Sequence, residues 1–362
     1  MGSPPTGGTR GVERERALPP VGAGTERGHL DEHNVVGYLA RRGIVRTQLP
    51  EGVAKVTPLG GGVSNVVLLV EAGPQRLVVK QPRHRLLVEE EWFAGPERAM
   101  SEAAAIELAR QMTPSAVPPL LDADPEACVI AMAAAPPTWG PWKELLLGGK
   151  VDPSVGLRLG RTLGAWHLAS RRDQGSLAPL AGLDIFQQLR IDPYHRAVAR
   201  RHPDLAGKIG LAIDTLLHHT GQSCLVHGDF SPKNVLLGGG GMWVIDFEVA
   251  HAGNPVFDLA FLLSHLLLKS LHRPTSADAY RQCAAQFLDG YQVATGRGFI
   301  EPGAGLALQV GCLVVARVDG KSPAEYLTGP ERAAARHLGM QLIRDPVDAM
   351  SAWSLVEKAT AP

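Results

Sequence analysis

The spacing of apolar residues changes midway along the chain. From about Val53 to Ala135 they come in short runs: "AKVTPLGGGVSNVVLLVEAG" and "QRLVVKQP" read as strands joined by Gly-rich turns, and "CVIAMA" as a later buried strand. One segment breaks this rhythm. "PERAMSEAAAIELARQM" has Pro96 near its start, strong helix formers after it and Thr113-Pro114 beyond its end, which predicts a helix. After "APPTWGPWKELLLGGKVDP" the pattern turns helical, in "SVGLRLGRTLGAWHLAS" and "LAGKIGLAIDTLLHHT". Short strands follow at "CLVHGD", "NVLLGG" and "GMWVIDF", then helices from "PVFDLAFLLSHLLLKSL" to the end. A β-rich part followed by a mostly helical one predicts an α+β fold. The division expected is an N-lobe over residues 29–135 and a helical C-lobe over residues 136–362, with chemistry at their border, where pockets tend to form.

Bulk composition narrows the partners. A chain of 362 residues is long enough for two lobes with cores of their own. Its 36 basic and 36 acidic residues give zero formal charge and no long single-sign run, so neither nucleic acid nor an anionic membrane surface is indicated. Small molecules are the expected partners, and the oligomeric state is left open. Cys128, Cys224, Cys283 and Cys312 are widely separated and form no CxxC pair, which argues against zinc and a disulfide framework and fits a cytoplasmic protein. The longest apolar block, "FDLAFLLSHLLL", is broken by Asp258, Ser264 and His265 and is too short to span a bilayer. Residues 1–28, rich in Gly, Pro and charge with no apolar core, are expected to form a disordered tail.

The chemistry concentrates in "LVHGDFSPKNVLL". Asp229 and Asn234 lie on a short connection between apolar strands, and Asp246 emerges from the strand end "VIDFE" twelve residues after Asn234. An Asp able to accept a hydroxyl proton, with an Asn and an Asp able to bind Mg²⁺, is what phosphoryl transfer from ATP needs. The Asp-to-Asn spacing equals that of HRDxxxxN. Upstream, Lys80 ends an apolar strand as a cation for phosphates, and Glu102 on the following helix can hold it; Glu97 and Glu107 are alternatives. Gly61, Gly62 and Ser64 in "LGGGVSNVV" offer backbone amides and a hydroxyl for phosphate contacts, or simply a hairpin turn.

"LVHGDFSPKNVLL" followed by "VIDFEVAHAGNPVFDLA" resembles the aminoglycoside phosphotransferase and choline kinase group of small-molecule kinases, in order from Gly60 to about Ser270. The resemblance implies a bilobal, protein-kinase-like fold, with ATP as phosphoryl donor and Mg²⁺ as cofactor. It makes Asp229 the catalytic base, Asn234 and Asp246 metal ligands, Lys80 the phosphate-binding lysine and Glu102 its partner. Glu248 in "DFE" would assist the metal, His227 and Asp258 would brace the catalytic loop, and the backbone of Ala133 and Ala135 would read the adenine. Gly228 in place of the HRD arginine, and the short interval between Asp246 and Asp258, set the chain apart from protein kinases. "VVKQPRHRLLVEEEWFAGPERAMSEA" is similar to methylthioribose kinases, whereas Asn234 departs from that subgroup.

On the acceptor side, Trp92 and Arg317 are the candidate contacts, with a structural tryptophan and a helix end at "DGKSP" as the plainer alternatives. His167 is expected in the core. The function implied is transfer of the γ-phosphate to a hydroxyl of a sugar, amino alcohol or aminoglycoside-like molecule. The alternative is a non-catalytic nucleotide-binding module of the same fold.

Overall fold

A computed structural model describes residues 1–2, 29–45, 54–60, 65–83, 98–218 and 221–360. The N-lobe contains α1 (Val35–Arg41), β1 (Ala54–Pro58), β2 (Asn65–Ala72), β3 (Gln75–Pro82), α2 (Arg98–Met112), β4 (Leu120–Asp124) and β5 (Val129–Ala133). Its five strands form one antiparallel sheet in the order β1-β2-β3-β5-β4. The strands and α2 fall where the sequence pattern places them. α1 and β4 are additions that the pattern did not reveal: each is short, and β4 carries two acids in its five residues.

The two-residue period of β3 sorts its side chains. Leu77 and Val79 join Leu68, Val70, Val129 and Ala131 in a small core closed by Val35, Tyr38 and Leu39 of α1. Val78 packs on the opposite side, against the larger core that includes α2, and Lys80 shares its parity. Helix α2 buries Ala99, Glu102, Ala103, Ile106 and Ala109, an i, i+3, i+4 stripe that takes one carboxylate inside with it. Glu107 lies on the exposed side of the same helix.

The C-lobe begins with β6 (Gly140–Pro141), α3 (Trp142–Leu147), α4 (Pro153–Arg172), α5 (Asp184–Phe186), a π-helical segment Gln187–Arg196, α6 (Ala197–Arg201) and α7 (Ala206–Leu217). Short strands β7 (Cys224–Val226), β8 (Val235–Gly238), β9 (Gly241–Val244) and β10 (His251–Gly253) carry the polar loops. Helices α8 (Val256–His272), α9 (Ala277–Thr295), α10 (Ala304–Asp319), α11 (Gly329–Arg344) and α12 (Ser351–Thr360) complete it. β10 pairs with β7, and β6, β8 and β9 make a second small sheet. α8 is buried almost all round, as its near-continuous apolar sequence requires. Among the described residues no helix is long and apolar enough to cross a membrane.

Helices α4 and α9 touch backbone to backbone. Gly156, Gly160 and Gly164 recur every four residues on the face of α4 that meets α9. A Cβ on Gly160 would lie 2.0 Å from the Phe287 carbonyl oxygen, and one on Gly290 would lie 2.3 Å from that of Leu157. Neither backbone can retreat without moving a whole helix. Gly160→Ala should therefore destabilise the protein by roughly 1–3 kcal/mol through overpacking. Gly210→Ala, at an α7 position with nothing within 4 Å, should instead gain up to about 1 kcal/mol. Denaturant midpoints of the two variants check both signs.

Candidate active site

Lys80 is 7% exposed and lies between two carboxylates. Its Nζ donates to Glu102 Oε1 at 2.6 Å and to Asp246 Oδ1 at 2.8 Å. Burial opposes the ammonium, but Asp246, Glu102 and Glu248 outweigh it and hold the lysine above its ordinary pKa. Burial also pushes the Glu102 carboxyl up, against the pull of Lys80. Asp246 shifts the other way, because Lys80 and Lys233 overcome its own desolvation. Its backbone sits at φ 71°, the left-handed region, where a short polar side chain such as Asp is tolerated at some cost in strain. Of the three carboxylates the sequence offered to Lys80, the structure brings Glu102 to it.

The loop after β7 is buried as a unit, with Asp229 at 3% and Asn234 at 4% exposure. Asn234 Nδ2 donates both to the Asp229 carbonyl at 3.0 Å and to Asp229 Oδ2 at 2.9 Å. The same Oδ2 meets Lys233 Nζ at 2.9 Å and Arg190 Nη2 at 3.1 Å. Burial raises the pKa of Asp229, yet Arg190 and Lys233 reverse the effect and keep the carboxyl below the usual carboxylate range. Arg190 also donates from Nε to the Gly228 carbonyl at 2.6 Å. Gly228 itself has φ 74°, and a Cβ there would sit 2.5 Å from the Val249 carbonyl oxygen. That contact explains why glycine stands between the histidine and the aspartate.

Asp258 fixes the start of this loop. Its Oδ2 accepts from the His227 N–H at 2.7 Å and its Oδ1 from the Gly228 N–H at 2.9 Å. His227 Nδ1 accepts from the Asp229 N–H at 3.1 Å, and its other ring nitrogen is 3.2 Å from the Ile245 carbonyl oxygen, so the ring spans the two polar loops. His167 is buried, as expected of a core residue, but it also borders the site. Its Nε2 is 3.5 Å from Asp258 Oδ2, and its Nδ1 is 2.9 Å from the Tyr291 hydroxyl. Glu248 Oε2 accepts from Asn65 Nδ2 at 2.7 Å, a second tie between the lobes. Beside it opens a cleft of about 350 Å³ lined in part by Arg98, Asp184, Gln188 and His251.

Gly61, Gly62, Ser64 and Trp92 lie outside the described residues, as do Glu97 and the tail at 3–28. At the segment expected to read adenine, the Ala133 N–H donates to the Pro119 carbonyl and the Ala135 carbonyl accepts from Arg76 Nη1. Arg317 donates to the Ser322 carbonyl and hydroxyl, and no bond joins it to Asp229. Three residues at the site were not anticipated. Lys233 was visible in the loop, four positions after Asp229. Asn65 adjoins the Gly-rich turn. Arg190 gave no sign except a proline, Pro193, inside the helical run that bears it.

The sheet packed on one helix, the helical lobe and the polar loops between them define a bilobal kinase-like fold. The chain belongs to the APH phosphotransferase enzyme family, which it matches over residues 55–302. It is similar in structure to the amicoumacin kinase hAmiN, with a TM-score of 0.53, 14% identity and coverage of 89% of this chain and 97% of that one. A choline/ethanolamine kinase family protein from Mesorhizobium loti gives a TM-score of 0.45, 18% identity and coverage of 89% and 93%. A probable bifunctional tRNA threonylcarbamoyladenosine biosynthesis protein of Methanothermobacter thermautotrophicus is 30% identical over 113 residues, 31% of this chain. The match spans only 20% of that relative's length.

The Asp258 brace makes a sharp prediction. An Asn at this position keeps the shape but offers one acceptor oxygen to two N–H donors and points an NH₂ at the other. Asp258→Asn should lose roughly 2–4 kcal/mol of stability, since buried hydrogen bonds to a charged group contribute about 1.5–3 kcal/mol each. Urea denaturation monitored by tryptophan fluorescence measures it.

Proposed function

We propose that the protein is an ATP-dependent kinase that phosphorylates a hydroxyl group of a small molecule in the cytoplasm. The observation that carries this reading is the pairing of the buried Asp229–Asn234 loop with the Lys80-bridged Asp246. Family membership supports it, and so do neighbours of the same fold described as kinases, one of them in complex with AMP-PNP and Ca²⁺.

The donor set fits a hard divalent cation shared with phosphates. Asn234 commits its amide nitrogen to Asp229, which leaves its carbonyl oxygen as a ligand, and Asp246 supplies a carboxylate held ionised. Among the described residues no group of three or more His, Cys, Asp or Glu forms a metal cage, so the nucleotide would complete the coordination, as is usual for Mg²⁺. Mg²⁺ bound there would neutralise charge on the phosphates. Glu248, hydrogen-bonded to Asn65, would serve as a further ligand.

The side chains do the rest. Lys80, fixed by Glu102, contacts the nucleotide phosphates. Asp229 orients the acceptor hydroxyl and takes its proton late, which an ionised, weakly basic carboxylate can do because the transition state is loose. Arg190 keeps that carboxylate aimed. Lys233, whose side chain is 54% exposed, is the cation that can pass from Asp229 to the phosphoryl group in transit.

Asp229→Ala should lower turnover by about 10²–10⁴-fold while leaving nucleotide affinity near wild type. Asp246→Ala should weaken Mg-dependent nucleotide binding. Coupled ADP release and calorimetric titration of Mg·ATP separate the two outcomes. Near-normal turnover in Asp229→Ala would remove it as the base.

A further inference from the structure

South of the catalytic loop along α8 the structure gathers cations. Lys269 is 1% exposed, and its ammonium has one weak bond, 3.5 Å to the His265 carbonyl, and an aromatic face, the Tyr326 ring at 5.2 Å. No carboxylate among the described residues is bonded to Lys269 or to Arg317. Arg317 Nε and the Tyr326 hydroxyl are buried without a hydrogen-bond partner. Glu331 of α11, the carboxylate beside the C-terminal end of α8, is engaged by His272 at 3.2 Å and by the Thr328 N–H.

The fields agree with this geometry. Burial, followed by Arg317 and Lys143, pulls the Lys269 ammonium down to about 7. Burial, followed by Lys269, Arg317, Lys233 and Lys143, drives the half-buried His265 well below its ordinary value. Lys233 links the cluster to the base, because its own ammonium rests on Asp229. Arg190 forms a second link: its guanidinium lies 5.7 Å over Phe261, whose ring meets His265 at 5.1 Å. A buried lysine with no counter-ion is costly. Here two further cations, Arg317 and Lys143, add to that cost, and Lys233 and Arg190 connect the surroundings of His265 to Asp229.

We propose that this cluster is the anion-binding end of the acceptor site, so that the molecule phosphorylated carries an oxyanion, a carboxylate or a phosphate ester, besides its hydroxyl. The proposal rests on the kinase reading and narrows it. In the reaction the acceptor oxygen bonds to the γ-phosphorus and the bond from phosphorus to the β–γ bridging oxygen breaks. ADP leaves with the electron pair, and the hydroxyl proton passes to Asp229. Lys143, His265 and Arg317 contact the anion at the mouth, while Lys269 supplies positive potential from beneath. A polycationic acceptor would be repelled by the same groups.

The test titrates full-length protein saturated with Mg·ADP with three sets of hydroxyl compounds. The anions are glycerate, gluconate, glycerol 3-phosphate and ribose 5-phosphate; the neutral set is glycerol, glucose and ribose; the cations are choline, ethanolamine and kanamycin. At least one anion should bind and should stimulate ADP release from Mg·ATP, and the hydroxy acids and phosphate esters report separately which oxyanion is read. Lys269→Met, a substitution of similar length that removes a buried charge, and Arg317→Gln should each weaken that anion by about tenfold or more. Both should bind Mg·ADP as wild type does. The proposal is overturned by a neutral or cationic compound that binds as tightly as the best anion, by undiminished anion binding in both variants, or by no binding of any anion. Failure of Mg·ADP itself to bind would instead strike at the kinase reading.

Discussion

One ammonium group, that of Lys80, joins three parts of the molecule that are far apart in sequence. It belongs to the central strand of the N-lobe sheet, and its two carboxylate partners come from α2 and from the loop after β9. A lone lysine at this depth would be strongly unfavourable, and so would two facing carboxylates without the ammonium between them. The ammonium is therefore what lets both carboxylates share one buried place. The relation of α2 to the sheet, and of the N-lobe to the C-lobe, follows from keeping them together. Asn65 and Glu248 repeat the connection without charge matching, from the adjacent strand.

A second dependence runs through the helices. The glycines of α4 allow α9 to approach closely enough for the Tyr291 hydroxyl to reach His167. His167 lies against Asp258, and Asp258 holds the two N–H groups that begin the Asp229 loop. A feature that looks like pure packing thus supports the aim of Asp229 through three intermediates. Interiors this dense transmit small displacements instead of absorbing them. The buried ring of Trp166 packs against Phe230 and Phe247, and both phenylalanines meet the His227 ring of the same loop.

Much of this was legible in the sequence because it rests on local order. The strand ends that present Lys80 and Asp246, the spacing of Asp229 and Asn234, and Asp258 at the start of an apolar helix are all short-range patterns. The choice among Glu97, Glu102 and Glu107 was not, because an alanine-rich helix shows little contrast between its faces; burial of the 99, 102, 103, 106 stripe settles it for Glu102. Arg190 was hidden for a different reason. It reaches a loop 38 residues away from a π-helical segment, and nothing in its neighbourhood encodes that direction. The Lys269 cluster was hidden as well, since it forms only when α3, α8 and α10 converge; sequence reasoning had singled out Arg317 alone.

Helix α8 carries both the brace of the Asp229 loop and the buried lysine. Asp258 lies in its first turn and Lys269 eleven residues on. At a rise of about 1.5 Å per residue the two are separated by roughly 16 Å along a rigid axis. The fold thereby keeps the loop brace at one end of a helix and the proposed anion-binding residues toward the other. Substitutions at positions 265 and 269 lie about two to three turns from Asp258 and change the local charge without touching the brace. Under the acceptor reading proposed above, a laboratory change of acceptor charge has one length of helix as its compact place to begin.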